Sequence, residues 1–595
     1  MTDTTSTPIA KTVASLAGSA AERFASNIAA RYRDGSEWRE LSYAEVGKAI
    51  EELALGLVDL GVEPGDRVCI LANTRLEWTL ASYAISATGA VIVPVYPTNS
   101  PQECKWVVGN SGARAIIVED EGQRQKIDQV RDELPDLEHV IGIEQGAGEM
   151  TLDELRERGA GGERAELARR QDAVEPDDGW IIIYTSGTTG PPKGVVLTHQ
   201  NAMQVCHIVE VLEFVKPDET TFLYLPLAHI FALLTQLASY DQGTTIVYFG
   251  GDTKQILAEV IETKPTYLPS VPRIFEKLYA AATKIQESAS PEDKERFRQA
   301  IKLGVEVRRR QQRGEPVPDE LQAPFDQADE QIFSKVRQLF GGQVRQAVSG
   351  AAPISREILE FFYAAGVPVM EGWGMTETTG VGTVGTLDDF KFGTVGKPLP
   401  GVEIRIAEDD NEILMKGPNV FREYWKNPEA TADTLIDGWL HTGDVGELDD
   451  DGFLKITGRK KDIIITAGGK NLTPANIEND LKQCPFISQA VMFGDRKPYP
   501  VALVTLDPEE ILPWAKEHGL PEDLAALAET EQVQEMIQRE LDRANSNYAQ
   551  VEQVKQFKIL DHDLAIDSGE LTPTLKVKRN VVYDRYGDLF ESMYA

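Results

Sequence analysis

Val46, Ile50, Leu53 and Leu57 recur at intervals of four, three and four, which sets them on one face of a helix that stops at Gly61. The turn Pro64-Gly65-Asp66 then feeds the strand-like run RVCILA (67–72). Similar runs follow at AVIVPV (90–95), ARAIIVED (113–120) and HVIGI (139–143), with helical patterns between several of them. That alternation predicts a doubly wound, largely parallel α/β sheet. In such sheets ligands collect beyond the carboxyl ends of the strands. Three apolar runs end in loops rich in glycine and hydroxyl groups. IIIY (181–184) leads into TSGTTGPPKG, VRQAVS (344–349) into GAAPIS, and VPVM (367–370) into EGWGMTETTG.

Between about 283 and 335 the rhythm breaks into a charged, helix-prone stretch centred on VRRRQQRG (307–314). It reads as a solvated helical excursion, with a membrane-docking element as the alternative. A domain boundary is expected near DGFLKITGRKKDIIITAGGKNLTP (451–474), which divides the chain into 1–457 and 458–595. The second part has the spacing of a small α+β unit and ends in the basic run ELTPTLKVKR (570–579). No internal repeat is present.

Composition narrows the classes. At 595 residues the chain is too long for one ordinary domain. Its 95 acidic against 60 basic side chains give a net charge of −35, which repels nucleic acid and anionic lipid at long range. A salty habitat would produce the same bias. Four cysteines (Cys69, Cys104, Cys206, Cys484) without CxxC spacing read as buried thiols of a reducing compartment. The opening MTDTTSTPIAKTVASLAGSA lacks the pattern of a signal peptide, and no apolar run nears the ~20 residues of a membrane span. A cytoplasmic location is expected.

The chemistry concentrates in the loops. YTSGTTGPPKG (184–194) holds three glycines, three threonines, one serine and one lysine. Glycines let successive N–H groups converge on an anion, the hydroxyls add donors, and Lys193 adds charge, a set suited to polyphosphate. The spacing is not that of a Walker A loop. Taken alone, such a string is equally a polar surface turn.

The whole string resembles the phosphate loop of the adenylate-forming enzymes, which include acyl-CoA synthetases, luciferases and the adenylation domains of peptide synthetases. LPLAHIF (225–231), GAAP (350–353), EGWGMTET (371–378), GWLHTGD (438–444), GRKKDIIITAGGKNLTP (458–474) and LTPTLKVKR (571–579) occur in that family's order. The resemblance covers nearly all of the chain beyond its first 40 residues. It implies a large N-terminal multi-sheet domain with a small mobile C-terminal lid, and ATP, Mg²⁺ and CoA as co-substrates and activating ion.

Site roles follow residue by residue from the same resemblance. Thr185, Ser186, Gly187, Thr188, Thr189 and Gly190, with Lys193, would hold the phosphates. Glu377 would bind Mg²⁺, with Thr376 on the α-phosphate. Gly350, Ala351 and Ala352, with Trp373 and Gly374, would take the adenine, Trp373 standing where many relatives have tyrosine. Asp444 and Arg459 would take the ribose. Lys576 would be the catalytic lysine, and His229 would border the acyl pocket. Lys461 would be the swivel, and Gly468, Gly469 and Lys470 would admit the pantetheine arm of CoA. Each has an ordinary alternative: a helix-capping pair for Thr376 and Glu377, a core aromatic for Trp373, a core histidine for His229, a surface charge for Asp444 or Arg459, and a solvated basic stripe for Lys576, Lys578 and Arg579.

Within the family, LTPTLKVKR, GGKNLTP and the excursion resemble the long-chain acyl-CoA synthetases. VFREYWKNPEAT (420–431) departs at Glu423, where relatives often have glycine. The expected partners are a fatty acid, ATP and CoA. A greasy substrate implies transient peripheral contact with lipid, which the acidic surface would keep weak. Alternatives are a ligase that loads a carrier protein, a synthetase for another acid, a non-catalytic nucleotide-binding protein, and a kinase-type phosphotransferase.

Overall fold

The structure is a computed structural model that describes residues 10–185, 191–287, 290–467, 471–572 and 576–594. The helix expected from the first apolar stripe spans Tyr43–Asp59. Ser42 and Glu45 close a reciprocal capping box at its start, and Val46, Ile50, Leu53 and Leu57 are all buried. Gly61, at φ 82°, turns the chain out of it.

The strands predicted from apolar runs form one eight-stranded sheet. Arg67–Leu71, Val91–Val95, Ala115–Val118 and His139–Gly142 lie parallel in it, joined by Met150–Thr151 and Gly179–Thr185. Lys193–Thr198 and the short Glu423–Tyr424 add antiparallel at one edge. A second sheet of nine strands contains a parallel centre of six: Val369–Trp373, Gln346–Ser349, Tyr267–Ser270, Thr220–Leu223, Thr245–Tyr248 and Ile28–Asp34. A third, antiparallel sheet of five strands runs from Glu403 to Arg459. Buried residues of all three sheets, among them Ile70, Leu223, Trp373, Met415 and Leu454, belong to one continuous core.

The chain after Arg459 is built separately. Its three-stranded sheet, Ile487–Phe493, Val501–Leu506 and Gln556–Ile559, is covered by the helices Pro474–Leu481 and Glu531–Asn545. The two apolar clusters here draw only on residues from Ile464 onward. The molecule therefore has a large and a small unit with independent cores. Lys461 lies in the turn between the last strand of the large unit, Leu454–Arg459, and the first strand of the small one, Ile464–Ile465.

The excursion is helical, as expected, with helices Pro272–Glu287, Pro291–Gln312 and Asp319–Ala328. It is not simply solvated. Val307, Phe325 and Phe333 are buried in a second core cluster of the large unit. Its basic centre is answered locally: Arg308 meets Asp329, Arg310 meets Glu306, Arg313 meets Glu315, and Arg309 lies over the ring of Phe392. Arg579, expected in a solvated stripe, instead grips the buried Glu478 through both guanidinium NH groups. Burial of an acid required a partner of opposite charge.

Candidate active site

Topology brings the motif loops together. The strands ending at Leu223, Ser349 and Trp373 run parallel in one sheet, so LPLAHIF, GAAP and EGWGMTET emerge at its carboxyl edge. The buried run Trp180–Ile183 ends at Thr185, opposite Lys193 on the returning strand. Ser186, Gly187, Thr188, Thr189 and Gly190 lie outside the described residues, as do Gly468, Gly469 and Lys470.

GAAP departs from regular backbone at once. Gly350 is buried, Ala351 half-buried and Ala352 exposed. Ala351 has φ 68°, a left-handed conformation that costs an L-residue roughly 1–2 kcal/mol. At Gly374 a side chain would meet the backbone of Gly380 at 2.5 Å, so only glycine lets the turn Thr376–Thr378 fold back there.

Asp444 is the meeting point of two sheets. It is 4% exposed, and its carboxylate accepts the indole N–H of Trp373 at 2.8 Å and forms an ion pair with Arg459, Nε to Oδ1 at 3.0 Å. Asp444 is therefore not a surface charge, and Trp373, although part of the large core, gives its indole N–H to that carboxylate. Glu377 is also buried. Its Oε1 accepts the hydroxyl of Tyr424 at 2.7 Å, and its carbonyl accepts from the N–H of Phe421 at 2.8 Å. Burial raises the pKa of Glu377, while the Tyr424 hydrogen bond and the charges of Arg459 and Lys193 pull it back. Among the described residues, no group of three or more His, Cys, Asp or Glu side chains stands ready for a metal.

Lys576 comes from the other unit. It stands on a short turn closed by the bridge between Leu571 and Val577, with its N–H donating to Thr572 Oγ1 at 3.0 Å. The residue as a whole is exposed, yet the protein around its ammonium and then Arg459 lower its pKa to about 8, with Asp444 acting the other way. The same charge, after burial, helps to hold His229 down to about 3. One lysine of the small unit thus faces Arg459, Asp444 and His229 of the large one. Of the expected residues, the structure brings together Lys193, Glu377, Trp373, Asp444, Arg459, Lys576 and His229.

The chain that carries this arrangement is matched by known proteins. The family described as AMP-binding enzyme matches residues 18–425, more than half of the chain, and the AMP-binding enzyme C-terminal domain matches residues 461–595. The chain belongs to the AMP-binding enzyme family. Two relatives of this AMP-binding enzyme are the long-chain-fatty-acid–CoA ligases FadD15 of Mycobacterium tuberculosis and Mycobacterium bovis. Each is 40% identical over 562 residues, which covers 94% of this chain and 92% of the relative. The long-chain-fatty-acid–CoA ligase ACSBG2 of Xenopus laevis is 32% identical over 612 residues, covering 96% of this chain and 82% of the relative.

Solved structures share the fold. The adenylation domain of a carboxylate reductase from Mycobacterium chelonae aligns with a TM-score of 0.79 at 21% identity, over 98% of this chain and 91% of that one. The anthranilate CoA ligase AuaEII, in complex with anthranoyl-AMP, aligns with a TM-score of 0.72 at 20% identity, over 97% and 98%.

Three participants in this AMP-binding enzyme were missed from sequence. Tyr424 was quoted within VFREYWKNPEAT without a role, because a tyrosine in an apolar strand has the signature of core. Arg273 and Asp507, paired across the two units, lie 234 residues apart and share no motif.

His229 has a defined tautomer. Its Nδ1 accepts the N–H of Phe231 at 3.2 Å and caps the helix Ile230–Gln242, so the neutral ring carries its proton on Nε2. Asparagine can replace the cap but does not reach as far as Nε2. His229→Ala should therefore lose about 1 kcal/mol of stability and His229→Asn almost none, measured by urea unfolding. Equal destabilisation of the two variants would refute the capping assignment.

Proposed function

We propose that the protein is a long-chain-fatty-acid–CoA ligase. It would activate a fatty acid with ATP to an acyl-adenylate, release pyrophosphate, and pass the acyl group to CoA with release of AMP. The FadD15 relatives, matched over 94% of the chain, support the substrate class. The observation that carries the mechanism is the approach of Lys576 to Arg459, Asp444 and His229 across the two units.

The difficulty of the first step is electrostatic. A carboxylate oxygen must attack an α-phosphorus that belongs to a polyanion, and the bond to the leaving pyrophosphate must break. The task of the protein is charge compensation and alignment. Lys193 and the phosphate loop would hold the outer phosphates. Thr376, buried beside Glu377, would donate to the α-phosphate. Asp444, its two oxygens already oriented by Trp373 and Arg459, would accept the ribose hydroxyls. The GAAP backbone and Trp373 would border adenine. His229 would present its Nε2–H to the acid, and Lys576 would offset the negative charge that gathers as the two anions meet.

A hard cation fits the remaining acid. A Mg²⁺ ion bridging phosphates needs few protein carboxylates and keeps several waters, and Glu377 offers one buried carboxylate that Tyr424 holds through Oε1. Such an ion would supply additional neutralisation of phosphate charge.

The second step requires a thiol to reach the acyl carbon where Lys576 now stands. Rotation of the small unit about the turn containing Lys461 would clear that path for CoA. The pose seen here is held by ion pairs from the helix Pro272–Glu287. Arg273 meets Asp507, and Lys277 meets Glu509 at 2.7 Å. Among the described residues no helix is long and apolar enough to cross a membrane. We place the enzyme in the cytoplasm, with passing contact at lipid where its substrate partitions.

The defining experiment supplies a long-chain fatty acid, ATP and Mg²⁺ and follows pyrophosphate release, then adds free CoA. Acid-dependent pyrophosphate release followed by acyl-CoA formation is expected, whereas ADP without AMP would overturn the assignment. Lys576→Ala should slow adenylation by about 10²–10³-fold and leave thioester formation from supplied acyl-adenylate nearly intact. Equal loss in both half-reactions would refute the division of labour.

Because the pKa of Lys576 is lowered to about 8, its ammonium is protonated below that pH in the free enzyme and neutral above it. The kcat/KM of adenylation should fall as pH rises through about 8, and Lys576→Arg should carry that limb beyond pH ~10. A wild-type profile flat across this range would contradict the role.

Arg273→Ala with Lys277→Ala should weaken docking of the small unit by about 1 kcal/mol. Adenylation should slow roughly fivefold while transfer from supplied acyl-adenylate is unchanged or faster. Slowing of transfer to the same extent would show that the pairs do not select between poses.

A further inference from the structure

The segment from Asn419 to Trp425 touches two parts of the site at once. On one side it is tied to the turn that bears Glu377. Asn419 Nδ2 donates to the carbonyls of Thr378 and Val381, at 3.1 and 2.6 Å, Thr379 donates to the carbonyl of Asn419 at 2.7 Å, and Phe421 N–H donates to the carbonyl of Glu377. On the other side Tyr424 pairs with Val195, and Trp425 N–H donates to the carbonyl of Gly194 at 2.7 Å, immediately after Lys193. The strand therefore connects the base of the phosphate loop to the proposed metal carboxylate.

Tyr424 does so with one side chain. It is 6% exposed and packs against Phe421, with ring centroids 4.8 Å apart. Its hydroxyl donates to Glu377 Oε1 at 2.7 Å, and the Lys193 ammonium lies 4.9 Å from the centroid of its ring. A carboxylate and an ammonium close enough to influence each other would, left alone in a buried site, collapse into an ion pair. Once paired, neither would be available to a nucleotide or its cation. Tyrosine prevents this because its two ends have different affinities: a polar hydroxyl for the anion and an electron-rich face for the cation. Phenylalanine would serve only the lysine.

We infer that Tyr424 is a positioning residue that holds Glu377 and Lys193 apart, each turned toward the nucleotide, and so sets the affinity of the site for the divalent cation that accompanies ATP. This rests on the reading of Glu377 as the cation's carboxylate. It assigns to Tyr424 two separable effects, one through the hydroxyl and one through the ring.

The experiment titrates Mn²⁺, as a spectroscopic substitute for Mg²⁺, into the full-length protein with a non-hydrolysable ATP analogue, and follows bound Mn²⁺ by electron paramagnetic resonance. Tyr424→Phe removes one oxygen, keeps the ring and preserves the packing. It should weaken Mn²⁺ binding about tenfold, the usual scale for loss of a group that orients a metal ligand. KM for ATP at saturating Mg²⁺ should stay unchanged in that variant. Tyr424→Leu should weaken Mn²⁺ to a similar degree and in addition raise KM for ATP at saturating Mg²⁺ by about threefold, because Lys193 loses its platform.

Tyr424→Phe with wild-type Mn²⁺ affinity would overturn the inference even if its activity fell, since a merely structural role would lower turnover without moving the metal titration. If the wild-type protein with the analogue shows no Mn²⁺ site, the reading of Glu377 fails first and this inference with it. Should Tyr424→Leu not fold, the Tyr424→Phe titration decides alone.

Discussion

The rest of the structure depends on one charge that must arrive from elsewhere. Lys576 belongs to a unit with its own apolar core, and its electrostatic partners Arg459, Asp444 and His229 belong to the other. A cation delivered this way is useful only if the docking is firm enough to hold it and weak enough to release it. The contacts named across the interface have that character. Arg273 with Asp507 and Lys277 with Glu509 are ion pairs rather than interlocked aromatics, and all but Asp507 keep substantial contact with water. Partly solvated ion pairs cost little to break, because water replaces what is lost. An apolar interface of equal extent would resist rotation far more strongly.

Inside the site the problem is the reverse: opposite charges must be kept from satisfying one another. Lys193, Arg459 and Lys576 stand near Glu377 and Asp444, and a site whose charges all paired internally would offer nothing to a substrate. Two aromatic residues manage this. Trp373 donates to Asp444, and Tyr424 donates to Glu377, so each carboxylate has a neutral partner that fixes its direction without cancelling its charge. Arg459 does meet Asp444, but through Nε, and its side chain is otherwise largely exposed. Neutral donors are the economical choice here, since a buried carboxylate left without any would gain a proton.

Much of this was legible in the chain. The parallel strands followed from short apolar runs bounded by turns, and the helix Tyr43–Asp59 from its four-three-four spacing, because burial on one face leaves a periodic trace. The loops that gather at the carboxyl edge were legible for the same reason: glycine and hydroxyl residues after an apolar run have no place in a core. What left no trace was pairing between distant segments. Nothing local marks Asp507 as the partner of Arg273, or Tyr424 as the partner of Glu377, since each also serves as an ordinary helix cap or core ring. The excursion misled in one respect. Its charge suggested a solvated surface, but Val307, Phe325 and Phe333 are spaced widely enough that the apolar face is diluted by arginines such as Arg308 and Arg310, whose acidic partners lie within the excursion itself. Arg579 was misread likewise, because a basic run looks the same in sequence whether or not a buried glutamate waits for it.

The overall charge of −35 sharpens the demand on the site. Both ATP and CoA are polyanions, and an acidic surface opposes their approach. That opposition fades over about 8–10 Å at physiological ionic strength, roughly the dimension of the cluster itself. Capture would then come from charges within that radius, so Lys193, Arg459 and Lys576 would act as a local island rather than as part of a basic field. Under the proposed function such an island would gain from being incomplete: with the small unit docked, Lys576 would complete it for a nucleotide, and with that unit turned away, the large unit alone would hold less positive charge and release AMP more readily. The same rotation that would admit the thiol would then also loosen the product, so a single motion would serve both transfer and release.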